Sequence, residues 1–143
     1  MPSSVIVIDA NLAVQAVVPG PLAVAASLFA DWRLSKSRLV APDPWLAEAL
    51  SAVRGLVFAR ALSRDEGLVA VDDLFALGVE LAPLTLWLCR SALSWAERLG
   101  QAKVYDSLYL ALAEQLQAEF WTADRRLANR AQKLGADWVH VAE

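Results

Sequence analysis

The stretch "VIVIDANLAV", residues 5–14, decides the fold. Four consecutive β-branched residues, Val5 to Ile8, show no alternation of polar and apolar side chains. That is the pattern of a parallel strand covered on both faces. The run stops at Asp9, with Asn11 two places on. A single carboxylate after a strand can be a turn cap, so its meaning depends on whether other carboxylates share its place in the fold.

Working outward, short apolar runs alternate with helical patterns. A first helix is expected from about Pro21 through "LAVAASLFADW" and a second strand at "RLVAP", residues 38–42. Asp43 and Pro44 then have the character of an N-cap and first helical residue for "WLAEALSAVRGLVFARAL". Ser63 and Glu66 have capping-box spacing for a helix ending near Gly78. A third strand is expected at "VELAP", 79–83, then a helix from Pro83 to Arg98 stopped by Gly100, and a helix containing residues 104–117. A fourth strand, Glu119 to Thr122, precedes a helix capped by Asp124 and closed by Gly135, and "DWVHV" supplies the fifth. Strands separated by helices predict a three-layer α/β/α architecture around a mostly parallel sheet of about five strands.

Length and composition bound what this fold can do. At 143 residues the chain reads as one domain, 1–143, able to bury roughly two-thirds of the surface exposed when unfolded. It is 57% hydrophobic with a mean hydropathy of +0.40, implying a thick core, an apolar surface for a partner, or both. No apolar run approaches the length of a membrane span, and "MPSSVIVIDA" lacks the basic region of an export signal, so a cytoplasmic protein is expected.

The single cysteine, Cys89, excludes an intramolecular disulfide scaffold, and its helical apolar context reads as a small buried hydrophobe. One histidine, His140, excludes a nuclease built on a histidine base and a histidine acid, and the counts exclude Cys/His zinc clusters. Any chemistry must rest mainly on oxygen ligands. Sixteen acidic against thirteen basic residues argue against bulk electrostatic binding of nucleic acid. Two local basic clusters, Arg33, Lys36 and Arg38, and Arg125, Arg126, Arg130 and Lys133, leave room for a local nucleic-acid contact, against the alternative that each is a solvated helix face.

In open parallel sheets, sites lie beyond the carboxyl ends of the strands. Asp9 and Asp124 follow strands there, while Glu48 and Asp106 interrupt otherwise apolar helices, the latter close to a helix N-terminus. Each has a plainer reading as a turn residue, a helix cap, a solvent-facing group or a dipole partner. Four together are better explained as one site, because gathered carboxylates take up protons unless a cation neutralises them. Oxygen-only anionic sites suit Mg²⁺ or Mn²⁺, which can polarise a phosphodiester and lower the pKa of bound water. Asn11 and Thr122 stand where they could orient these ligands or a water.

The fragments "VIDANLAV", "PWLAEALSAV", "VYDSLYLALA" and "FWTADRRL", in this order and across nearly the whole chain, resemble the PIN domain family, and within it the small VapC toxin ribonucleases of type II toxin–antitoxin pairs. The resemblance implies a Mg²⁺- or Mn²⁺-dependent endoribonuclease with Asp9, Glu48, Asp106 and Asp124 around the metal. It also implies an RNA substrate, a homodimer and inhibition by a small cognate antitoxin. Thr122 stands where some relatives carry a further carboxylate, which weakens the case for a second metal ion. Two other classes remain open: a noncatalytic PIN-like RNA-binding or interaction module, and a phosphoaspartyl enzyme or receiver-like switch using Asp9. A receiver would offer a second early acidic residue, where this chain has Ile6, Val7 and Ile8. For the homodimer, Leu68, Val71, Phe75, Leu84, Trp87, Leu88 and Trp95 are expected to supply apolar surface, against the alternative that all seven are core.

Overall fold

The computed structural model describes residues 4–20 and 23–143. Its elements run β1 (Val5–Ile8), α1 (Ala10–Val17), α2 (Ala23–Leu34), β2 (Arg38–Pro42), α3 (Trp45–Phe58), α4 (Arg64–Ala76), β3 (Glu80–Ala82), α5 (Leu86–Leu99), α6 (Tyr105–Leu116), β4 (Glu119–Thr122), α7 (Arg125–Lys133) and β5 (Val139–Val141). The strands form one parallel sheet in the order β3-β2-β1-β4-β5, with Val7 opposite Val40 on one side and Phe120 on the other. The apolar run of β1 therefore occupies the centre: Val7 and Ile8 are wholly inaccessible.

Strands β2 and β3 are added on one side of β1, and β4 and β5 on the other. Right-handed crossovers then put α1–α4 on one face and α5–α7 on the opposite face, giving three layers. The packing agrees: α1 lies against α2, α3 and α4, whereas α6 pairs with α5 and spans β1, β2 and β4. The reversal of strand order falls between β1 and β4, where Asp9 and Asp124 emerge.

Several local expectations need correction. The helix α1 follows Asp9 directly, with Asp9 as its N-cap. The expected helix start at Pro21 lies outside the described residues, and the helix containing that sequence is described from Ala23. Pro44, not Asp43, is the N-cap of α3 and makes no side-chain capping bond, while the Asp43 amide donates to the Ala82 carbonyl at 2.9 Å and ties the β2 end to β3. Thr85 caps α5, so this helix starts later than Pro83. The Ser63–Glu66 capping box forms in both directions. Cys89 is exposed rather than buried, because α5 turns Leu88, Ala92, Trp95 and Leu99 inward and leaves Cys89 on its outer side.

That same division settles part of the apolar surplus. Leu88 and Trp95 belong to the core and offer nothing to a partner, whereas Leu68, Phe75, Leu84 and Trp87 are exposed and Val71 is half-buried. Gly100 ends α5 at φ 68°, a conformation costly for residues with a Cβ, and turns the chain back toward α6. Among the described residues no helix is long and apolar enough to cross a membrane.

Candidate metal centre at the carboxyl edge

Asp9, Glu48, Asp106 and Asp124 line one cleft of about 590 Å³ beyond the carboxyl ends of β1 and β4, together with Asn11, Ser51, Tyr105 and Tyr109. Four segments bring them there. The first two carboxylates enter from the β1–α1 junction and the first turn of α3, the others from the first turn of α6 and the β4–α7 junction.

Each carboxylate is fixed by uncharged donors. Asp9 Oδ1 accepts from the Leu12 amide at 2.8 Å, capping α1, and Oδ2 accepts from the Thr122 hydroxyl and from the Ala123 amide at 3.2 Å. Thr122, buried at the end of β4, accepts in turn from the Asp124 amide at 2.9 Å. Glu48 Oε1 accepts from the Tyr109 hydroxyl at 3.0 Å, and Asp106 Oδ2 from Gln101 Nε2 at 3.1 Å. Asp124 Oδ1 caps α7 through the Leu127 amide at 3.1 Å. Tyr109 and Gln101 were not singled out from sequence. The nearly unbroken apolar run of α6, buried from Ser107 to Ala113, gives no hint that a tyrosine hydroxyl would reach α3, 61 residues earlier.

The electrostatics follow from burial and like charge. Burial pushes the Asp9 carboxyl above its ordinary range, the Thr122 hydroxyl and the Leu12 and Ala123 amides oppose this, and Asp106 adds repulsion. Glu48 is raised by burial and then by Asp106 and Asp9, against the Tyr109 hydrogen bond. Asp106 is raised by burial and by Asp124, against Gln101. Tyr109 is pushed strongly upward by burial and by Glu48, so its hydroxyl stays a donor. The carboxylates thus act on one another as a group, with no cation among their hydrogen-bond partners in the described residues.

Among the described residues, no three Asp, Glu, His or Cys side chains stand closely enough to hold an ion by themselves. The donor set nevertheless fits Mg²⁺ or Mn²⁺. These hard ions take oxygen ligands, and Mg²⁺ usually binds through one or two carboxylates while keeping several waters, so a closed protein shell is not required. Glu48 Oε2, Asp106 Oδ1 and Asp124 Oδ2 accept no protein hydrogen bond among the described residues.

The basic clusters divide. Arg125 and Arg126 begin α7 directly after Asp124 but do not line the cleft, and Arg125 pairs with Glu143. Arg130 donates to the Leu99 carbonyl, and Lys133 lies at the far end of α7. Arg33, Lys36 and Arg38 sit at the other edge of the sheet: Arg38 opens β2 opposite Val5, about 13 Å of strand from Asp9. There Arg38 is held by Glu80.

Comparison with known proteins places this chain in a family. Ribonuclease VapC12 of Mycobacterium tuberculosis is 32% identical over 123 residues, covering 86% of this chain and 89% of its own length. The structure of VapC20 from Mycobacterium tuberculosis, described as a sarcin-ricin loop cleaving toxin, aligns with a TM-score of 0.61 at 15% identity, covering 87% of this chain and 93% of that one. FitAcB from Neisseria gonorrhoeae aligns with a TM-score of 0.62 at 19% identity over 96% of each chain. At those identities the two structures speak for the fold. The PIN domain model matches residues 6–133, and with the sequence relative it shows that this chain belongs to the PIN domain family.

Proposed function

We propose that this chain is a divalent-metal-dependent endoribonuclease, the toxin of a VapBC-type pair. The observation that carries the reading is the meeting of Asp9, Glu48, Asp106 and Asp124 in one cleft at the switch point of the sheet. These four residues would hold Mg²⁺ or Mn²⁺. When bound, the ion would supply charge stabilisation at the scissile phosphate and a more acidic water.

The chain's own residues prepare that site. The Thr122 hydroxyl fixes Asp9 Oδ2, and Tyr109 and Gln101 each hold one oxygen of Glu48 and Asp106, leaving the other to face the cleft. Because all three donors are neutral, they orient the carboxylates without neutralising them. Asn11, exposed at the cleft wall, offers an amide to substrate or water. Two residues after Asp124, Arg126 is exposed and in no ion pair among the described residues, so it is the cation we assign to a neighbouring phosphate. Arg33, Lys36 and Arg38 are too far along the sheet to touch the nucleotides at the cut.

The partners follow from the relatives and from the surface. VapC12 is named a ribonuclease, which supports RNA as the substrate, and the toxin family supports a small cognate antitoxin. Exposed Leu68, Phe75, Leu84 and Trp87 support a homodimer. Incubation of the purified protein with total RNA, with Mg²⁺ or Mn²⁺ and then with a chelator, tests the activity. Cleavage that depends on the ion and disappears in Asp9→Asn is expected; ion-independent cleavage, or none by the folded parent, overturns the reading.

A further inference from the structure

A second groove, of about 430 Å³, continues from the acidic cleft and shares Asn11, Ala52 and Asp124 with it. Its character is different. Val14, Leu56 and Ala123 give it apolar walls, no lysine or arginine lines it, and Asn11 and Gln15 stand one helical turn apart on α1. Gln15 is half-buried, and neither amide has a protein hydrogen-bond partner among the described residues. A half-buried primary amide against apolar walls is a donor and acceptor pair available to a ligand.

We infer that this groove is a subsite for an unpaired nucleobase flanking the scissile phosphate, read by the amides of Asn11 and Gln15. The inference rests on the ribonuclease reading for its position next to the cut, but the groove itself dictates the ligand class. A phosphate is disfavoured, since the groove has no cation and borders the Asp124 carboxylate. A cation finds only that one carboxylate. A nucleobase is neutral and planar, presents apolar faces to Val14 and Leu56, and carries the donor and acceptor edge that carboxamides pair with. Bases within a duplex have both faces stacked and are closed to such a groove, so the site selects an unpaired nucleotide.

Two measurements test this, and only one depends on cleavage. Free nucleosides, which lack phosphate, are titrated into the metal-free protein while amide resonances are followed by NMR, with ribose as the control. Shifts centred on Asn11, Val14, Gln15 and Leu56, stronger for one or two bases, absent with ribose and lost in Gln15→Leu, are expected. No shift in the parent, an equal response to ribose, or retention in Q15L overturns the subsite. In the second arm, RNA ends produced by parent and Q15L are mapped. Q15L should relax the base preference beside the cut by about tenfold in relative kcat/KM, the scale of one carboxamide–base pairing, with Mn²⁺ affinity unchanged. Unchanged end preference overturns the subsite while leaving the ribonuclease reading intact. Failure of the parent to cut RNA overturns that reading, and the nucleoside titration then decides the groove independently.

Discussion

At the amino edge of the sheet, Arg38 opens β2 and meets Glu80 at the start of β3 at 2.9 Å, beside a cavity of about 750 Å³ that also carries Arg33 and Lys36. At the carboxyl edge, carboxylates face carboxylates around a smaller cleft of about 590 Å³. Arg38 lowers the pKa of Glu80, whereas burial and mutual repulsion raise Asp9, Glu48 and Asp106. The Arg38–Glu80 pair at the amino edge is electrostatically satisfied and exposed; the carboxyl edge keeps an unrelieved cost that a bound cation would remove. Cavity size alone would point to the wrong edge.

The contrast breaks most easily at Asp9. Replacing it by Asn keeps the shape and a cap for α1 but removes the charge, so RNA cleavage should fall by more than about 100-fold with loss of Mn²⁺ affinity. Retained ion-dependent cleavage with unchanged Mn²⁺ binding in folded D9N would sink the assigned role of Asp9.

Tyr109 gives the next largest effect. Its ring stacks on Phe120 with centroids 5.6 Å apart, so Tyr109→Phe should keep the packing and remove only the donor to Glu48. We expect Mn²⁺ affinity, followed by electron paramagnetic resonance, to weaken about tenfold at an unchanged unfolding midpoint. Equal affinity would make the tyrosine a packing residue and nothing more.

A smaller effect separates the edges by pH. Because the folded-state pKa values of Asp9, Glu48 and Asp106 are raised, their contribution to stability is full below the ordinary carboxylate range and is lost as pH rises through the raised values. In metal-free protein, D9N should therefore gain stability over the parent as pH increases from about 4 to 7. Urea unfolding across this range checks the sign; a gap that narrows with pH contradicts it. Glu80 has the opposite sign, its contribution being lost as pH falls through the lowered value.

The smallest effect is at Arg38 itself. Arg38 and Glu80 are both exposed, and such pairs add little once solvent and salt screen them. Arg38→Ala should leave the unfolding midpoint and RNA cleavage where they were. A loss of cleavage would restore the amino edge to the RNA-binding surface.

What the sequence disclosed follows the same physics. The five strands were legible because β-branched and apolar runs, bounded by Pro, Gly and acidic caps, admit few other structures. The helix α1 was hidden because "ANLAVQAV" prolongs the apolar run of β1, and its only cap, Asp9, was already engaged as a site residue. At the site, residue type disclosed the four carboxylates, but Tyr109 and Gln101 act through side-chain reach between elements, which one-dimensional spacing does not encode. Cys89, expected to be buried, is exposed for a related reason. A helix rich in apolar residues on several sides does not announce which side faces the sheet, and only α6 packing against α5 chose it.

The bond from Thr122 to Asp9 joins positions 113 residues apart. A chain emerging from the ribosome can make β1, β2 and most of the helices before β4 exists, and closure of so long a loop is among the slower steps of folding. Until Glu119–Thr122 have been translated and paired with β1, Asp9 lacks its hydroxyl partner and Asp124 has not been synthesised. The acidic centre is thus withheld from the nascent chain until β4 and Asp124 have been translated and β4 has joined the sheet beside β1.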